Sequence, residues 1–391
     1  MMHTHRIQIN FTIIQFLLWF SWGTFGLFYI AYLEDLGYSS KLIALTIILS
    51  TVFGIMGQYV LGFISDKTSK IKHVFLGALF MLILFVIGFG FAAKHVLPMI
   101  MIMSLIGFVW LPLESLLDSW ILSTKGLDTS LYGFMRAGAS FGFAIMTLFF
   151  GGFVIKYGYD IIVYAYVITA GFLWIMAFLT KTDTIKEPHT KEKIYVKSLL
   201  KNKAYIAILI YSMLLFITHM GINNFYIYIF KNIGGNASHI GISAAFAAFT
   251  EVIGFIYARR IISKIAPLKI FLIVGFITFL RVYLLTVATT PTQAILTAIL
   301  QGIGFSLFLA SFKLYVVKIT PTRLLASAQT IAAGVTFGLS SIVASLLGGF
   351  LIDDYGIERF FDILNLVALL ALIYIGLLFY MDYKKRKSLT E

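Results

Sequence analysis

Two acids and one base stand out by type and spacing in a chain that is otherwise apolar. Glu114 and Asp118 lie four residues apart in "PLESLLDSW" (112–120), and Arg136 follows in "YGFMRAGASFGFAI" (132–145). On a helix, this spacing puts both carboxylates on one face. A guanidinium beside them makes forked, charge-assisted hydrogen bonds. One arginine cannot neutralise two carboxylates, so one acid is left to titrate or to bind something. The plain alternative is a structural bridge that only ties two helices together.

These residues need elements to carry them. Charged residues make up 12% of the 391, about half the share of a soluble domain. Twelve apolar stretches run from end to end, each near the roughly 20 residues that cross a bilayer. Backbone groups in lipid must bond within their own segment, so the stretches are expected to be helices. The fourth covers 97–122 and the fifth 132–155, joined by a short connection. Asp118 and Arg136 can then meet at similar depth across one antiparallel helix pair. A charge in lipid is costly, so both should face protein or water. The fold expected is an all-α membrane protein of twelve transmembrane helices.

Charge sets the orientation. Placing both termini on one side puts 22 of the 30 Lys and Arg there and five opposite. Arg136, Arg281 and Lys313 stay inside spans. Both termini are therefore expected in the cytoplasm, in a multi-pass protein of the cell (inner) membrane. The first span looks too long for a cleaved leader. The net charge of +13 reads as topology and attraction to anionic lipid, not as nucleic-acid binding. Without cysteine there is no thiolate chemistry. No phosphate loop, His-Glu-x-x-His or Gly-x-Ser-x-Gly occurs, so ATP hydrolysis and intramembrane proteolysis lack their parts and no enzyme is indicated.

Residues 181–203 are polar and carry seven lysines. They divide the chain into a bundle over 1–180 and a second over 204–391, six spans each. The halves echo one another: "GGFVIKYG" (151–158) closes span five and "GGFLIDDYG" (348–356) closes span eleven. Duplicated bundles are the usual construction of secondary transporters. Weaker polar signals lie in span seven (His219, Asn223, Asn224) and span ten (Gln301). Each could donate to a ligand or make an interhelical hydrogen bond.

"GFISDKTSKIK" (62–72) resembles the loop of the major facilitator superfamily through Gly62, Asp66, Lys67 and Lys70, with Ser69 where glycine is common. The resemblance implies a conformational latch there. Asp118, eighteen residues before the arginine of Tyr132-Gly133-x-x-Arg136, with Ser140 and Gly142 beyond, is similar to the proton-symporter branch of lactose, oligosaccharide and nucleoside permeases. In that branch the equivalents of Asp118 and Arg136 hold substrate, and Phe143 stands where an aromatic stacks on the sugar ring. "TEVIGF" with Glu251 and "FLRVY" with Arg281 look like that branch's coupling residues, and His219 could assist. "PTRLLASAQ" (321–329) resembles its loop between spans ten and eleven.

The resemblance implies two pseudo-symmetric six-helix bundles and a monomeric importer of a small polar solute, a sugar or nucleoside, driven by protons without any cofactor. Glu114, Asp118, Arg136, Phe143, Asn223, Asn224 and Gln301 would contact the substrate. An exporter of drugs or metabolites is the alternative. The chain also departs from lactose permease. Span ten carries no lysine, histidine or acid over 296–308, and Ile222 and Gly338 stand where that permease has charges. Galactoside recognition and its proton route do not carry over.

Overall fold

A computed structural model describes residues 2–125, 127, 131–183, 199, 201–321 and 324–387. Most of the 181–203 linker lies outside the described residues, as do 322 and 323 of the loop before span eleven. Among the described residues, eleven helices are long and apolar enough to cross a membrane. The last, Ser327–Lys384, has 58 residues. A straight helix of that length would reach about 87 Å at 1.5 Å per residue, nearly three hydrocarbon thicknesses. It is broken at Gly356, with φ 82° and ψ 172°, and so supplies two of the twelve crossings.

That break matches a second one. Gly158, at the end of the first "GG…YG" segment, has φ 80° and ψ 171°. Only glycine occupies this region readily. The repeat seen in the letters is thus repeated in the backbone: each motif ends its helix with the same turn.

The chain forms two compact units, Met1–Lys191 with Asn236–Ala248, and Glu192–Gly235 with Phe249–Glu391. In the first, α1 (Met2–Phe25) lies on α6 (Tyr132–Tyr157), and α3 (Ser40–Thr68) on α5 (Val96–Leu122); α2 (Tyr29–Asp35) continues span one. The helices α4 (Ile71–Ala92) and α7 (Ile161–Leu179) pack behind them. Pro112 sits inside α5. Its ring cannot donate to the Phe108 carbonyl and pushes it outward. Gly57 of α3 receives that carbonyl: a Cβ there would stand 1.8 Å from it. This freed carbonyl lies about one and a half turns before Glu114.

In the second unit, α8 (Lys203–Asn224) packs on α14 (Ser340–Lys387), and α11 (Pro267–Thr286) on α12 (Pro291–Ile319) and α14. The short α9 (Tyr226–Asn232) extends α8, and α10 (Ala237–Ile262) is divided between the units. A π-helical turn, Gly334–Leu339, joins α13 (Leu325–Ala333) to α14. Tyr211, Phe216, Phe271, Phe308 and Phe312 form this unit's core. The Tyr211 hydroxyl donates to the Phe271 carbonyl at 2.6 Å, which satisfies its one polar atom.

Between α3 and α4, Ser69 caps the helix in the left-handed region, at φ 51° and ψ 29°. Gly62 is half-buried, and Asp66, Lys67 and Lys70 are exposed around this turn. The serine pays about 1–2 kcal/mol for the conformation that glycine adopts freely. Glycine's greater unfolded-state entropy offsets part of that gain. Ser69→Gly is expected to stabilise the protein by about 1 kcal/mol, seen as a rise of about 1 °C in the thermal midpoint. An unchanged or lowered midpoint would mean the turn carries no strain.

Candidate functional site

The acids and Arg136 meet inside the first unit, but in a different pairing from the expected one. Arg136 of α6 donates through Nη2 to Oε1 of Glu114 on α5, in a tight ion pair. Asp118 accepts instead from Gln15 Nε2 of α1 at 3.0 Å, with Tyr132 beside it. The reason is a third helix. α6 lies so close on α1 that a Cβ on Gly142 would stand 2.3 Å from the Phe16 carbonyl. That approach brings Gln15 against Asp118, and the guanidinium takes the acid one turn away.

Aromatic rings wall this cluster. The Trp19 ring lies 5.4 Å from the Arg136 guanidinium carbon. It meets Trp110 and Phe143 edge-on, at 5.8 Å and 6.1 Å. Trp110 in turn stacks on Trp22 at 3.6 Å. Two buried polar atoms here have no partner: Gln15 Oε1 and Trp19 Nε1. Buried polar groups are nearly always hydrogen-bonded, so an orphan acceptor and an orphan donor beside two acids and an arginine leave hydrogen-bonding capacity unused.

The polar residues of the second unit separate into two groups. Asn224 donates to Ser341 Oγ at 3.3 Å and Ser345 Oγ at 2.9 Å, which is helix-to-helix glue. Asn223 donates to His219 Nε2 at 3.0 Å. Arg281 is buried, and its Nη2 donates to the Tyr226 hydroxyl, which donates on to Gln301 Oε1, both at 3.3 Å. Glu251 is half-buried on α10 and is not among the groups against Arg281. Lys313 is exposed on α12, in keeping with a side chain that snorkels.

A model of the MFS_1 like family matches residues 47–363. The chain belongs to that family. It is a multi-pass membrane transporter of the major facilitator type and not an enzyme. Across 370 residues it is 25% identical to a maltose permease of Geobacillus stearothermophilus, covering 93% of each chain. It is also 25% identical to an uncharacterized transporter, YwbF, of Bacillus subtilis (strain 168), over 90% of this chain and 87% of the other. Two crystal structures of the nucleoside transporter NupG, one of a mutant, superpose with TM-scores of 0.81 and 0.84. They are 16% identical over 96% of this chain and cover 98% and 99% of theirs. At that identity the likeness concerns the fold.

In this MFS_1 like transporter, sequence reasoning finds Glu114, Asp118, Arg136 and Phe143 but misses Gln15, Trp19 and Trp110. The signal was present for two of them. Gln15 is a polar residue set in the apolar stretch 13–20 of α1. Trp19 follows it by four residues, on the same face.

Proposed function

We propose that the chain imports a small polar organic solute of the sugar or nucleoside class together with protons. One observation carries the reading: the cluster of Glu114, Asp118, Arg136, Gln15 and Trp19 combines unspent polar atoms with aromatic faces. Hydroxyl-bearing rings need both. Carboxylates and an arginine fork take the hydroxyls, and Trp19, Trp110 and Phe143 take the ring's apolar face. The names of the relatives agree in kind, since one speaks of maltose and the other of nucleosides.

Coupling falls to Asp118 in this proposal. Its hydrogen-bond partner Gln15 and its neighbour Tyr132 are neutral, so protonation strands no cation. Glu114 is engaged by Arg136 and is not free to do the same. In this reading Arg281, which lies with Tyr226 and His219, is not the relay. The proposal keeps two six-helix bundles hinged near 181–203, both termini in the cytoplasm, no cofactor beyond the proton, and a monomer in the cell membrane.

Uptake of labelled sugars and nucleosides into proteoliposomes, acid outside, tests the reading. Accumulation of one class above its outside concentration is expected, abolished by a protonophore. Accumulation only under the opposite gradient would make the protein an exporter and overturn it. So would a panel with no member transported.

The loop between α3 and α4 supports a separate expectation. Asp66 is exposed there, outside the aromatic cluster. Asp66→Asn should slow uptake at least about tenfold while solute affinity changes less than twofold, because a latch biases conformations and does not touch solute. Affinity by calorimetry and initial rates by uptake separate the two. Equal losses of both would move Asp66 into the binding site.

A further inference from the structure

The second unit holds a buried cation whose counter-charge is missing. Arg281 is 4% exposed. Among the described residues no carboxylate lies against it, and its Nε has no hydrogen-bond partner. An arginine cannot shed its proton in a protein. An isolated buried charge is strongly disfavoured, so something must compensate it.

The side chain lines a small, partly open cavity of about 30 Å³, with His219, Thr278 and Gln301 as its other polar walls. Hydrogen bonding fixes what these walls can offer. Gln301 Oε1 is spent on Tyr226, which leaves the amide NH₂. His219 Nε2 accepts from Asn223, so in the neutral ring the proton sits on Nδ1. Thr278 brings a hydroxyl, and Arg281 brings its guanidinium. Each can donate, and the one charge is positive. Phe216, Phe305 and Phe308 line the remaining sides.

We propose that this cavity is a resident site for a monatomic anion of chloride size, which neutralises Arg281. The walls select the class: donors on part of the surface and three phenyl rings on the rest suit a weakly hydrated, spherical ion, whereas the oxygens of a phosphate need donors all round. A water would satisfy the donors but not the charge. The inference goes beyond the importer reading and does not depend on which solute is carried, because it concerns the second unit alone.

Thermal unfolding of the purified full chain, in chloride or in gluconate at equal ionic strength, tests it. The midpoint of the wild type should rise saturably with chloride, by about 2 °C per tenfold above half-saturation. Arg281→Met should abolish the dependence. Gln301→Leu, which keeps the charge and loses one donor, should fold and need at least about fivefold more chloride. A bromide-soaked crystal should give an anomalous peak beside Arg281. Equal midpoints in the two salts would overturn the proposal. So would a chloride effect that survives Arg281→Met, a Gln301→Leu protein with unchanged half-saturation, or a midpoint that responds to organic anions and not to halide. No arm measures uptake, so failure here is distinct from failure of the importer reading.

Discussion

Arg136→Lys protein is expected to fold, reach the membrane and lose solute binding by roughly thirtyfold. The figure corresponds to about 2 kcal/mol, the scale of a charge-assisted, forked contact that an ammonium cannot copy. The ion pair with Glu114 cannot account for such a loss through stability. Its two side chains are 32% and 36% exposed, and pairs this wet contribute about 0–1 kcal/mol. The competing view, in which Arg136 and Glu114 only tie α5 to α6, makes the opposite forecast. Lysine should then rescue, and Glu114→Ala with Arg136→Ala should perform better than either alone, because no charge is left unpaired. Calorimetric binding on protein of verified expression decides. Recovery of binding in the double variant would reduce the pair to a structural link.

What could be read from the letters follows from what lipid punishes. The spans were legible because apolar length has one meaning in a bilayer. Arg136 and its acids were legible because charges in such spans need partners. The identity of the partner was not. Spacing along α5 offers Glu114 and Asp118 almost equally, and the choice is made by Gln15, which arrives from α1 through a contact between backbones at Gly142 and Phe16. Glutamine and tryptophan cost far less than a charge in a membrane helix, so Gln15 and Trp19 raise little alarm. The same limit applies to span seven. His219, Asn223 and Asn224 look alike by position, yet Asn224 is spent on two serines of α14 while His219 turns to the Arg281 cavity. Glu251 and Arg281 were grouped through resemblance, and Arg281 proves to keep other company, with Tyr226 and His219.

Asp118→Asn should separate the solute from the proton. The amide keeps the size of the carboxylate and can still accept from Gln15, so the cluster should hold its shape. It cannot take up and release a proton. Exchange of labelled for unlabelled solute across the vesicle membrane needs no net proton movement and should continue within about threefold of wild type. Uphill accumulation should vanish. A gradient of one pH unit is worth about 1.4 kcal/mol, or roughly tenfold accumulation for one proton per solute, and the variant should return to a ratio near one. Glu251→Gln serves as the control. If coupling resides at Asp118, that variant should still accumulate solute under the same gradient. If Glu251→Gln loses accumulation and keeps exchange while Asp118→Asn still concentrates solute, the proton travels through α10, and Asp118 is left to bind hydroxyls alone.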